Sequence, residues 1–159
     1  MPKTNIAYWL ALKYVPKLAI HKKIALVKQH SLKALFHSPD ILQPYNFTGK
    51  QLQAFQQPNW AKISQIVEQS AALQSEIIVY DSDLYPTLLK TIYDPPLVLF
   101  IKGNAELLNK NQIAMVGSRS ATVNGRETAT SFAKQLVSTD IVITSGLAIG
   151  IDSAAHRGA

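Results

Sequence analysis

The 159-residue chain has no cysteine. Disulfides, thiolate metal sites and cysteine nucleophiles are thereby excluded, and a reducing, cytoplasmic setting is expected. Long hydrophobic runs are missing as well, since nothing approaches the ~18 apolar residues of a membrane-spanning helix. The apolar stretch 6–12 is too short for a signal-peptide core, and Lys13 interrupts it with no small-residue cleavage site behind. Acid is absent from the first 33 residues, which carry seven lysines: Lys3, Lys13, Lys17, Lys22, Lys23, Lys28 and Lys33. Residues 91–159 are nearly balanced, with six basic and five acidic residues. The net charge of +6 is therefore unevenly placed. Such a basic segment suits a polyanion such as nucleic acid, and equally a solvated helix surface.

What is present should fold, because 47% of the residues are hydrophobic and only 16% charged. Two halves with different patterning meet near residue 75. In the first, Tyr8, Leu12 and Val15 recur at helical spacing, as do Ile24, Val27, Leu32, Leu35 and Phe36. Ser38-Pro39-Asp40 and Pro44 break the pattern, and Leu52, Phe55, Trp60, Ile63, Ile66 and Val67 resume it. Residues 1–75 are expected to form a small all-helical domain. In the second half, apolar runs at 77–80, 97–102, 113–116 and 141–144 look like strands. The last two are continuous enough to be buried on both faces of a parallel sheet. Between them Asn124 is expected to cap a helix, with Glu127 completing a capping box, and Ala129, Phe132, Ala133, Leu136 and Val137 give it an apolar face. Residues 76–159 thus read as the first part of a Rossmann-like parallel α/β domain, with a βαβ unit at its centre.

In such sheets ligands bind outside the carboxyl ends of the strands. Two loops fall there: Gly117-Ser118-Arg119 and Ser145-Gly146-Leu147-Ala148-Ile149-Gly150. Glycines let a backbone approach a ligand and present its N–H groups, a helix behind adds its positive end, and Arg119 offers a charged fork, so phosphate is the expected guest. A dinucleotide is not expected. The fingerprint G-x-G-x-x-G is missing, since the next glycine after Gly117 is Gly125, and the second strand ends in Thr144-Ser145 where an acid would hold a ribose. Asp152 and His156, four residues apart, could act as an acid–base pair on a nucleotide or phosphate ligand. The simpler reading makes Asp152 the cap of a helix beginning at Ser153 and His156 a packing residue. No second carboxylate, nucleophile dyad or metal-ligand spacing accompanies them, so no metal or cofactor is expected.

The segments DPPLVLFIKGN (94–104), IAMVGSRSATVNG (113–125) and TSGLAIGIDSAAHRGA (144–159) resemble the DprA/Smf family of DNA-processing proteins. DSDLYPTLLK (81–90) is similar to the segment those proteins carry before their nucleotide-binding-like fold. The helical half resembles the sterile-alpha-motif-like domain found there in many members. The resemblance implies a cytoplasmic, non-catalytic protein that binds single-stranded DNA, protects incoming DNA in natural transformation and helps load the strand-exchange recombinase. It implies that Gly117, Ser118 and Arg119 form the phosphate-facing turn, shaped by Thr122 and Gly125. Ser145, Gly146, Leu147, Ala148, Gly150, Ile151 and Asp152 then form the neighbouring wall, with His156 behind. Helical domains of this type often carry a glycine-bearing hairpin after Val-Pro. Val15-Pro16-Lys17-Leu18-Ala19 has no glycine, so DNA binding by this half would rest on its lysines. The family fold continues beyond the position of Ala159 with further strands and its homodimerisation surface, so the outer strand is expected to be uncovered. A protein-interaction role for the helical half is the third reading.

Overall fold

The structure, a computed structural model, describes residues 4–159; Lys3 of the basic segment lies outside them. They form two compact units, residues 1–105 and 106–159. The architecture is helix-rich with two small sheets. Among the described residues no helix is long and apolar enough to cross a membrane.

The first unit is built around α1 (Asn5–Lys13), whose residues Ala7 to Leu12 are all buried. A helix apolar on every side must be covered on every side. The covering comes from α2 (Ile20–Gln29), α3 (Leu32–His37), a 3₁₀ turn (Pro39–Tyr45), α4 (Gly49–Gln56) and α5 (Trp60–Ala72). Thr4, Ser31, Thr48 and Asn59 cap α1, α3, α4 and α5, and Thr48 with Gln51 makes a complete capping box. Gln51 also donates from Nε2 to the carbonyls of Pro16 and Lys17, at 3.2 and 3.1 Å. That clamp holds the α1–α2 turn tight although it lacks glycine, with Lys17 itself in the left-handed region at φ +50°. The absence of glycine therefore changes the residue in the turn and leaves it compact.

Strand β1 (Glu76–Val79) pairs antiparallel with β2 (Val98–Ile101), Val79 opposite Val98. This corrects the expectation for residues 97–102, which join no parallel sheet. Val79, Leu97 and Val98 instead belong to the same buried cluster as Trp9, Leu10, Leu12, Phe36 and Phe55. The compact unit accordingly runs to Ala105, past the change of patterning near residue 75, because the hairpin's apolar face is needed to close the helical core. Ser75 Oγ donates to the Ile101 carbonyl at 3.0 Å, and the Tyr85 hydroxyl to that of Pro96 at 2.7 Å, fixing the pair at both ends.

In the second unit β3 (Gln112–Ala114) pairs parallel with β4 (Val142–Thr144), Ile113 opposite Ile143, and α6 (Val123–Val137) connects them as a βαβ unit before α7 (Ile151–Gly158). The strands are not buried on both faces as expected: Ile143 is buried but Ile113 is 40% exposed. Among the described residues the helices cover one face only. The cap of α6 lies two residues before the expected one, because Thr122 Oγ1 accepts the Gly125 N–H at 3.1 Å, leaving Asn124 and Glu127 inside the helix. Its buried line is Ala129 and Ala133 with Leu136 half-buried; Phe132 and Val137 are exposed. α6 and α7 pack closely through small residues. A side chain on Gly158 would come within 2.2 Å of the Thr130 carbonyl oxygen, and Thr130 Oγ1 donates to the Ala154 carbonyl at 3.0 Å.

Two outcomes are expected. Residues 1–105 expressed alone should unfold at a higher denaturant midpoint than residues 1–75, which lack Val79, Leu97 and Val98; equal midpoints would show that the hairpin adds nothing to the core. The second concerns Lys23, 5% exposed, whose ammonium donates to the Lys13 carbonyl at 2.8 Å and so caps the end of α1. Burial, then the charge of Lys13, lowers its pKa from 10.5 to about 8, against a smaller opposing effect of Asp94. Between those values the unfolded chain binds more protons than the folded one, so stability should rise with pH from about 8 to 10. Above 10 the buried Tyr85 hydroxyl, raised to about 12 by burial and by Tyr80, acts in the opposite direction. Unfolding midpoints at pH 7.5, 9 and 10 check this, and the rise should vanish in Lys23→Met.

Candidate functional site

The two loops singled out in the sequence lie side by side at the carboxyl ends of β3 and β4. The ladder runs one bond past β3, Met115 N–H to the Thr144 carbonyl at 2.9 Å, and Ser145 Oγ then donates to the Met115 carbonyl at 2.7 Å. Two strand ends are thus stapled together before the loops diverge. The Ile151 N–H donates to the Ser118 carbonyl at 3.2 Å, tying the start of α7 to the first loop.

The glycines explain how close the loops come. Gly150 has φ +92°, and a side chain there would stand 2.2 Å from the Ser118 oxygen and 2.6 Å from that of Arg119. A side chain on Gly117 would stand 2.6 Å from Ile151 Cγ1. These glycines let one loop approach the other, so the guest in front of them is protein rather than ligand. Gly125 has a different task, placing its N–H on Thr122 at the head of α6. Leu147 takes a left-handed conformation, φ +60°, without being glycine, and is 78% exposed. The Ala148 carbonyl accepts from both the N–H and the hydroxyl of Ser153, which turns the loop back into α7.

What remains open for a ligand is the outer side. The N–H groups of Gly117, Ser118, Arg119, Gly146 and Leu147 donate to no acceptor among the described residues, and these five residues are exposed. Ser118 Oγ accepts the Ser120 N–H at 3.1 Å, folding the turn on itself. The Arg119 guanidinium makes no ion pair or hydrogen bond among the described residues. Free amides in successive turn residues, next to a helix start and an unpaired guanidinium, suit an anion.

Asp152 does not cap α7. The cap position is Gly150, and Asp152 is the second residue of the helix, 7% exposed, its carboxylate making no hydrogen bond among the described residues. The helix starts earlier than expected because Gly150 alone tolerates the conformation that enters it. Asp152 Oδ2 lies 3.2 Å from where a side chain on Gly146 would begin, so an acid does stand at the end of β4, supplied from α7. His156 Nε2 is 3.4 Å from the Ser145 carbonyl. No hydrogen bond joins Asp152 to His156, and among the described residues no cluster of histidine, aspartate or glutamate could hold a metal. Ile151, expected in the neighbouring wall, packs its side chain where a side chain on Gly117 would stand.

The second unit is thus a short parallel βαβ unit whose two carboxyl-end loops are joined and leave backbone amides without acceptors among the described residues. The family described as DNA recombination-mediator protein A matches residues 76–159, more than half of the chain, and the chain belongs to that family, the DprA/Smf proteins. It is 45% identical over 80 residues to the DNA processing protein DprA of Bacillus subtilis, an alignment covering 50% of this chain and 27% of that one. It is 28% identical over 149 residues to protein Smf of Borreliella burgdorferi, covering 88% and 48%. The crystal structure of DNA processing protein A from Streptococcus pneumoniae superposes with a TM-score of 0.71 at 27% identity, covering 99% of this chain and 54% of that one. The chain therefore spans about half the length of that relative.

Substitution separates the glycines that face protein from one that does not. Gly150→Ala should destabilise the second unit by about 2 kcal/mol or more, through strain and the carbonyl clash. Gly49, with nothing within 4 Å at the start of α4, should accept alanine with little change. Hydrogen exchange at Ile143 and Ala155, against Leu10 and Phe55 in the first unit, reads the difference.

Proposed function

We propose that the chain binds single-stranded DNA without sequence preference, as part of a protein that protects incoming DNA in natural transformation and helps load the strand-exchange recombinase. The observation that carries this reading is the set of unpartnered amides of Gly117, Ser118, Arg119, Gly146 and Leu147 beside the unpaired Arg119 guanidinium. Such a surface takes phosphates without reading bases, which is the chemistry of sequence-independent strand tracking. Exposed Leu147 and Ile149, at 78% and 72%, supply apolar surface beside the amides on which bases can rest. The names of the relatives, DNA processing protein and recombination mediator, support the same direction. In this reading the first unit is the sterile-alpha-motif-like domain and the second is the opening of a Rossmann-like domain, in a cytoplasmic protein that works as a homodimer and catalyses nothing. The rival reading, a nucleotide or phosphate-ligand enzyme, draws on one observation: the buried Asp152 carboxylate beside Gly146 at the end of β4.

Arg119→Ala should weaken binding of oligonucleotides of different sequence about equally, and should lower the slope of log affinity against log salt by about one. Fluorescence anisotropy at several salt concentrations measures both, and an unchanged slope would remove Arg119 from the interface. Asp152→Asn should leave that binding nearly intact. Nucleotide hydrolysis by the parent chain that disappears in Asp152→Asn would favour the enzyme.

A further inference from the structure

Tyr14 is the C-cap residue that follows α1, 44% exposed, in a unit whose other aromatic rings are mostly packed together. Two ammonium groups stand by its ring: Lys13 Nζ at 5.3 Å and Lys62 Nζ at 4.9 Å from the centroid. The ring forms one side of a groove of about 270 Å³ whose other walls include Ala54, Pro58, Asn59, Lys62 and Ile63. No acidic side chain lines it. The surroundings are as one-sided: residues 1–67 hold nine lysines and a single acid, Asp40, a net of +8, so the remaining 92 residues carry −2. The net positive charge of the chain is thus carried by residues 1–67, away in sequence from the glycine corners. Not every lysine contributes to that surface, since Lys23 is turned inward onto the Lys13 carbonyl. Lys13 and Lys62 are the ones held at an open aromatic ring.

From this arrangement we infer that Tyr14, Lys13 and Lys62 form a second contact for single-stranded nucleic acid, in which a base stacks on the Tyr14 ring within the groove and the two ammonium groups take the adjoining phosphates. Stacking on an exposed ring suits every base, and paired lysines suit a backbone charged at each step. While no strand is bound, the ammonium groups rest against the electron-rich ring face; on binding they exchange it for phosphate oxygens. The groove is too small for a duplex. This inference rests on the proposed single-stranded DNA binding and assigns that function a separate place in the helical unit.

The test compares two probes on the full chain: an oligothymidine and a backbone of equal length built from abasic units. Tyr14→Ala and Tyr14→Leu should each weaken the oligothymidine about tenfold and leave the abasic probe unchanged, while Tyr14→Phe keeps full affinity for both. Lys62→Ala should lower the salt slope for both probes alike. An equal loss on the two probes, or no loss on either, overturns the inference and leaves Tyr14 as a packing residue or a contact for an acidic protein. Arg119→Ala measured alongside separates this site from the glycine corners. A base-dependent loss in Tyr14→Ala with no effect of Arg119→Ala would remove the corners and keep this contact. The reverse would remove this contact and keep the corners. A parent chain that binds neither probe overturns both.

Discussion

Where Gly150 passes the carbonyl oxygens of Ser118 and Arg119 there is no space for even a methyl group, and the backbone conformation is one that only glycine enters readily. From that contact the rest of the site follows. It sets Ile151 against Gly117, lets the Ile151 N–H reach Ser118, and starts α7 where Asp152 is buried under Gly146. With their inner sides spent on each other, the two loops can offer a ligand only their outer amides and Arg119. The close contact is thus what aims the amides outward.

The two units solve the problem of a small core differently. The first surrounds one all-apolar helix and uses large side chains, Trp9, Phe36, Phe55 and Tyr85 among them. Its single buried polar side-chain atom without a partner among the described residues is the Trp9 indole nitrogen. The second uses small ones, Ala129, Ala133, Ala154, Ala155 and Gly158, so that backbones rather than side chains approach. Little apolar surface is buried that way, and Val116, Val123, Phe132 and Ile149 stay more than half exposed.

Much of this was legible beforehand. The helical spacing of Tyr8, Leu12 and Val15 marked the central helix, because a period of 3.6 is written directly in the order of residues. The βαβ unit and the pairing of the two glycine loops were legible for a similar reason: strand, cap and helix are local, and the loops must fall at one end of a parallel pair. The partner of residues 97–102 was not, since antiparallel pairing with Glu76–Val79 depends on which core the hairpin closes, a long-range matter. Thr122 and Asn124 are both good caps, and only the geometry of the loop decides that Thr122 serves. Tyr14 escaped notice because a helical tyrosine reads as core until its exposure is known.

The Gly117–Ile151 contact makes two positions, thirty-four residues apart, a single choice. A side chain at 117 would require a smaller residue than isoleucine at 151, and a smaller residue at 151 alone would leave a hole under the loop that carries Arg119. Among relatives these positions should therefore change together or not at all. Alanine at 151 is not small enough, because the Ile151 Cβ itself lies 2.8 Å from where a side chain on Gly117 would begin, so the first loop would have to shift.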